Sequence, residues 1–183
     1  MTEFDISGRK LALLQGDITK VEADAIGNAA NSSLVGGSGV NGAILSAGGP
    51  ALRAELDALR SRVGGCATGG AAATAAGDLP AKWVLHCVGP VYESGAMGEA
   101  DLLASCYRSA MRLAQEKGAR TLTLPSISTG VYGYPMDEAA ESAVRTVSDG
   151  LLSERCTIDR VTFVLFGPEA YQTHLDAAQR VLA

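Results

Sequence analysis

Short runs of β-forming residues alternate along this chain with stretches of helical period. That alternation restricts it to an α/β architecture, a largely parallel sheet carrying helices on both faces. Strands are predicted at Leu11–Gln15, Ala25–Asn28, Ala71–Ala75, Trp83–Val88, Thr121–Leu124 and Val161–Phe166, the last being the most branched and aromatic. Between them, Leu103, Cys106, Tyr107, Ala110 and Ala114 recur at intervals of three and four, as do Ala140, Ala143, Val144, Val147 and Leu151. Each set gives a helix one apolar stripe to lay on a sheet. Pro168, which loses no hydrogen bond in a first helical turn, opens a last helix striped by Tyr171, Leu175, Ala178 and Leu182. A further helix is predicted from Pro50 to Arg62, ended by Gly64-Gly65. The 183 residues show no linker or repeat, so a single three-layer domain over residues 1–183 is expected.

Charge and cysteine usage remove several classes of function. A formal charge of −5 leaves no broad basic footprint for a phosphate backbone, so general nucleic-acid binding is not expected. Cys66, Cys87, Cys106 and Cys156 form no CxxC pair and only two histidines accompany them, so neither a zinc cage nor a redox pair can be drawn. No apolar run approaches the roughly 18 residues that span a bilayer. The opening MTEFDISGRK has acids where a leader has an apolar core. A cytoplasmic protein with no membrane partner is expected.

Six of the 22 glycines sit in two stretches, each after a predicted strand and before a predicted helix. The first is Gly36-Gly37-Ser38-Gly39-Val40-Asn41-Gly42; the second is Ser126-Ile127-Ser128-Thr129-Gly130-Val131-Tyr132-Gly133-Tyr134-Pro135. Glycine lets successive backbone N–H groups converge on an anion at a helix N-terminus without a basic side chain. The first stretch has no GK[ST] and no GxGxxG register, so it is neither a Walker loop nor a dinucleotide fingerprint, and alone it reads equally as a flexible loop. Two such loops at the carboxyl ends of parallel strands can close on one diphosphate from opposite sides.

These stretches occur in the order Gly16-Asp17-Ile18-Thr19, Asn28-Ala29-Ala30-Asn31, GGSGVNGAI, Leu79-Pro80-Ala81-Lys82, His86-Cys87-Val88-Gly89-Pro90 and ISTGVYGYP. In that order and spacing, from about Gln15 to Phe166, the chain resembles the macrodomain family, and its MacroD-type branch of ADP-ribose binders and hydrolases in particular. The resemblance implies a three-layer macrodomain fold, a mixed, mostly parallel six-stranded sheet between helices, with no metal or organic cofactor. It implies ADP-ribose and ADP-ribosylated acceptors, protein or nucleic-acid ends, as partners.

Carried over by position, the resemblance gives Asp17 the adenine amine to accept from, the Ile18 amide the adenine ring to orient, and Phe166 a stacking place against it. A carboxylate suits an amine donor. A turn or cap aspartate and a core phenylalanine are the structural alternatives. Gly37, Ser38, Gly39 and Val40 from the first loop, and Ser128, Thr129, Gly130, Val131 and Tyr132 from the second, fall where the family binds the diphosphate. Asn31 matches the asparagine aimed at the proximal ribose, and Tyr132 would narrow the mouth beside it. Asn28 is expected to fix a strand-to-loop turn, and His86 to be a hydrogen-bonded core histidine.

MacroD-type hydrolases typically read GVDGAIH across the first loop, and here Asn41 stands in place of the acid and Leu45 in place of the histidine. An amide orients a water but takes no proton from it, so general-base help worth about 10²–10⁴-fold is absent at that position. Asn31, Asn41 and Tyr132 remain as catalytic candidates. The expected activity is hydrolysis of mono-ADP-ribosyl esters or deacetylation of O-acetyl-ADP-ribose. The alternatives are a non-catalytic ADP-ribose reader and an ADP-ribose 1″-phosphate phosphatase.

Overall fold

The computed structural model, which describes residues 1–183, begins with a strand that the apolar pattern does not announce. Thr2–Ile6 (β1), a polar edge with only Phe4 and Ile6 apolar, pairs antiparallel with Arg9–Gln15 (β2). The turn between them, Ser7 and Gly8, has φ of 52° and 88°, the handedness that matches strand twist in a two-residue hairpin. The sheet therefore has seven strands, where six were expected. Ala25–Ala30 (β3), Ala71–Ala75 (β4), Trp83–Val88 (β5), Thr121–Leu124 (β6) and Arg160–Leu165 (β7) complete it in the order β1-β2-β7-β6-β3-β5-β4. The five inner strands are parallel, and the edges β1 and β4 run antiparallel to their neighbours.

The helices are Gly39–Val63 (α1), Glu99–Glu116 (α2), Met136–Leu152 (α3) and Pro168–Val181 (α4). No helix is long and apolar enough to cross a membrane. α1 extends well ahead of the segment expected at Pro50–Arg62: it starts within the first glycine stretch and breaks at Gly49, immediately before Pro50.

The side chains of each inner strand alternate between two cores. Leu11 and Leu13 of β2, Leu85 and Cys87 of β5, and Val161 and Phe163 of β7 join the helices α2, α3 and α4 on one face. Ile26 and Ala30 of β3, Val84 and Val88 of β5, and Val164 of β7 meet α1 on the other. The stripes expected of α2 and α3 are buried as drawn. α4 is rotated from its expected stripe: His174, Ala177 and Ala178 are its buried residues, while Tyr171, Leu175 and Leu182 are only partly covered. A histidine is polar by composition, but here its ring packs 5.6 Å from Phe163 and its Nδ1 lies 2.9 Å from the Ala170 carbonyl.

Candidate functional site

Four adjacent parallel strands, β2, β7, β6 and β3, end along one edge of the sheet, and the chain after each contributes to a cleft there. After β2, Asp17 caps a single helical turn, Ile18–Lys20: its Oδ1 accepts from the Thr19 amide at 2.9 Å and from the Thr19 hydroxyl at 2.7 Å. Those bonds, the hydroxyl first, hold its carboxyl below the usual range. The capping alternative for Asp17 is thus realised through one oxygen, and the exposed residue still faces the cleft. After β7 comes Phe166, which lies outside the strand and is 84 % exposed. That excludes the reading of a core phenylalanine.

After β3, Asn31 clamps its own loop, its Oδ1 accepting from Val35 N and its Nδ2 donating to Val35 O, each at 3.1 Å. The expectation for Asn28 is corrected here. Asn28 sits inside β3, buried, and donates to Asn41 Oδ1 at 2.9 Å, so it is Asn31 that fixes the turn. Asn41 was expected in the glycine loop, whereas it lies in the first turn of α1, which begins at Gly39. A helix leaves its first N–H groups without intrahelical acceptors, and this first turn carries no acidic residue. Close packing demands glycine once in this turn: a Cβ on Gly42 would stand 2.5 Å from the Gly37 carbonyl oxygen.

The second glycine stretch connects β6 to α3 and is braced from behind. The Tyr107 hydroxyl on α2 accepts from Ile127 N at 3.0 Å and lies 3.3 Å from Pro125 O. Tyr92 N donates to Tyr132 O at 2.9 Å, and the rings of Tyr92 and Tyr134 lie 4.9 Å apart. The segment that carries Tyr92 is tied by the buried Glu99, whose carboxylate accepts from the amides of Glu93, Ser94, Gly95 and Met97. These bonds, Gly95's foremost, lower the Glu99 pKa to about 2. Neither Tyr107 nor Glu99 was among the expected site residues. Tyr107 reads in sequence as one more member of an apolar stripe, and nothing local reveals where its hydroxyl goes.

The result is two connected cavities. One, of about 300 Å³, is lined by Asn31, Gly37, Ser38, Gly39, Val40, Asn41, Ser128, Gly130, Val131 and Tyr132, with Ala29, Ala30, Gly89, Ser126 and Ile127. The other, of about 520 Å³, is lined by Asp17, Ile18, Thr129 and Phe166, with Ala43, Pro125, Met136, Val164, Leu165, Gly167, Ala170 and Gly16. Gly39, Val40, Ser126 and Gly130 border both, so the neck between them lies at the N-terminus of α1. Every residue expected in the site lines one cavity or the other. Ala29, Ala30, Gly89, Pro125, Met136 and Ala170 were not expected, because apolar and glycine linings carry no chemical signature. Tyr132 is the only conventionally titratable side chain lining the smaller cavity, and no cluster of three His, Cys, Asp or Glu side chains exists for a metal.

Comparison with known proteins agrees with this architecture. The macro domain family model matches residues 27–143. A macro domain-containing protein of Caldanaerobacter subterraneus is 49 % identical over 172 residues, 94 % of this chain and 97 % of the relative. O-acetyl-ADP-ribose deacetylase 1 of Pantoea vagans is 46 % identical over 91 % of this chain and 97 % of its own. The Oceanobacillus iheyensis macrodomain solved with ADP superposes with a TM-score of 0.93 at 36 % identity, over 99 % of this chain and 96 % of that one. The Trypanosoma brucei macrodomain solved with ADP-ribose gives 0.82 at 38 % identity, over 91 % of this chain and 68 % of that one. With its mixed α/β sheet, its paired glycine loops and this likeness along nearly its whole length, the chain belongs to the macrodomain family.

Proposed function

We propose that this macrodomain binds ADP-ribose across the two cavities and hydrolyses an ester on the ribose at the far end, in O-acetyl-ADP-ribose or a mono-ADP-ribosylated acceptor. The observation that carries the reading is the neck: two cavities meet at a helix N-terminus, where backbone N–H groups suit a diphosphate on a protein of net negative charge. In this reading adenine occupies the larger cavity, with Asp17 accepting from its amine, the Ile18 amide orienting it and Phe166 covering it. The diphosphate lies on Gly37, Ser38, Gly39 and Val40 of one side and Ser128, Thr129, Gly130 and Val131 of the other. The proximal ribose enters the smaller cavity beside Asn31, Asn41 and Tyr132.

Hydrolysis there proceeds without a protein base. A water lying between the ribose ester and the nearer phosphate gives a proton to phosphate oxygen as it attacks the acyl carbon. The acyl bond to the ribose oxygen then breaks, that oxygen takes the proton back from the phosphate, and the free acid and the ribose hydroxyl are left, with Asn31 and Tyr132 keeping the ribose in line. The name of the Pantoea relatives, 46 % identical, supports this choice of substrate. One observation favours a second reading, a binding-only module: no carboxylate or imidazole lines the smaller cavity. Incubating pure protein with O-acetyl-ADP-ribose, ADP-ribose 1″-phosphate and a panel of ADP-ribosylated peptides and nucleic-acid ends, followed by mass analysis, separates the possibilities. The proposed hydrolase releases ADP-ribose from an ester; a reader releases nothing, and a phosphatase releases inorganic phosphate.

A further inference from the structure

On the sheet face under α1 one buried polar row is formed by Thr74 on β4, His86 on β5 and Asn28 on β3, with Asn28 set directly opposite His86 by the strand pairing; Thr123 on β6 and Thr162 on β7 are also buried polar side chains of that face. The row is a chain of hydrogen bonds that ends in the smaller cavity. Thr74 Oγ1 lies 3.0 Å from His86 Nε2, His86 Nδ1 lies 3.2 Å from Asn28 Nδ2, Asn28 Nδ2 donates to Asn41 Oδ1 at 2.9 Å, and Asn41 Nδ2 donates to Val35 O at 3.1 Å.

An amide N–H only donates, so His86 Nδ1 is an acceptor, the ring is neutral, and its proton sits on Nε2, facing Thr74. Both amide hydrogens of Asn28 are thereby committed, while its buried Oδ1 has no partner. A buried orphan oxygen is unfavourable, and the carboxamide keeps this orientation because turning over would set oxygen against the lone pair of Nδ1 and against Asn41 Oδ1. We infer that His86 is a positioning residue for the ribose-end cavity: its neutral imidazole sets the orientation of the Asn28 amide, and Asn28 sets that of Asn41 and, through Val35, the loop Asn31 clamps.

A proton on Nδ1 reverses the pattern. Asn28 then offers its idle Oδ1 to the ring, that oxygen meets Asn41 Oδ1, and Asn41 must release Val35 in turn. No charged side chain opposes or assists this step. β3, β4 and β5 present only apolar side chains, Thr74 and Asn28 to the ring, and every charged residue of α1 lies beyond its break at Gly49. Cys66, packed on the same core, is kept protonated by burial. Burial alone pulls the His86 pKa down to about 4.

The inference rests on the proposed function for its ligand readout, and the amide resonances test it independently. In ¹⁵N NMR of the full chain, His86 shows the Nε2–H tautomer at neutral pH, and the side-chain amide signals of Asn28 and Asn41 move together as the ring protonates. His86→Leu shifts the Asn41 side-chain signals and weakens ADP-ribose binding roughly tenfold, the weight of one hydrogen bond. His86→Asn, which keeps an acceptor where Nδ1 stands, restores both. If His86→Leu does not fold, Thr74→Val carries the test: it leaves the ring in place, frees Nε2, and mixes the tautomers. Unmoved Asn41 signals in these variants, or an Nδ1–H tautomer in the parent, overturn the inference. A parent that binds no ADP-ribose overturns the proposed function and leaves the resonances to decide this one.

Discussion

The Tyr107 hydroxyl accepts from the Ile127 amide at 3.0 Å, so one side chain on α2 holds the backbone from which the second glycine loop springs. Tyr107→Phe keeps the ring, with its edge contact to Phe163, and leaves a buried N–H without a partner. The variant should be less stable by about 1–3 kcal/mol in urea unfolding. It should also bind ADP-ribose more weakly, because the loop loses its brace; unchanged affinity would assign the hydroxyl to stability alone.

Asp17 uses one oxygen as a cap, and the second is left for a ligand. Asp17→Asn retains a capping oxygen but removes the charge, so its melting temperature should match the parent's. Its ADP-ribose affinity should fall by about ten- to a hundredfold, as for a charge-assisted hydrogen bond. A lowered melting temperature with intact affinity would make Asp17 a cap and nothing more.

Glycine positions in the second loop divide by backbone. Gly133 has φ of 70°, so any side chain there strains the turn by about 1–2 kcal/mol before it meets a ligand. Gly130 has no such φ, has open space where a Cβ would stand, and borders both cavities. Gly130→Glu therefore places bulk and like charge at the neck without backbone strain. Loss of binding with an unchanged unfolding midpoint is the expected outcome, checked by calorimetry and urea titration.

Acid should destabilise the fold in two steps. His86 and His174 have folded pKa values of about 4 against 6.5 for the free side chain, both lowered by burial. Unfolded histidine therefore takes up protons first. Each ring contributes stability that is complete above about pH 6.5 and lost as the pH falls towards 4, up to about 3 kcal/mol apiece. Glu99, lowered to about 2 from 4.5, adds a further loss only below about pH 4.5. Urea midpoints measured from pH 7 to 3 should decline from near pH 6.5, and a double His→Gln variant that folds should flatten the first step.

The chemically distinctive parts of the cleft are legible because each is contiguous in sequence and follows a strand: GDIT and Phe166 come directly after β2 and β7, the second glycine stretch one residue after β6, and the first a short loop after β3. Long-range partners are not. Asn28 reads as a turn former because asparagine usually caps locally, yet its partners Asn41 and His86 come together only when β3, β5 and α1 pack. Tyr107 hides in an apolar stripe. β1 escapes the apolar pattern because a polar edge strand buries little, and α4 is turned only partly from its apparent stripe: Ala178 is buried as expected and Tyr171, Leu175 and Leu182 pack against the core, while the deepest places beside Ala178 go to His174 and Ala177.

Asn41→Asp would supply the proton acceptor that the smaller cavity lacks. One carboxylate oxygen keeps the Asn28 bond and the other, repelled by the Val35 carbonyl, turns to the cavity. Ester hydrolysis should accelerate by up to about 10². Loss of the Val35 bond should lower stability by about 1 kcal/mol. Rates unchanged within about twofold for Asp, Ala and Ser at position 41 would remove the residue from the reacting centre.

The most direct test of ADP-ribose binding at the neck is calorimetric titration of the full chain with ADP-ribose. A single site with a micromolar Kd, about −8 kcal/mol, that disappears in Gly130→Glu is the predicted result. No binding at millimolar ligand, or binding that survives a carboxylate at the neck, would contradict it.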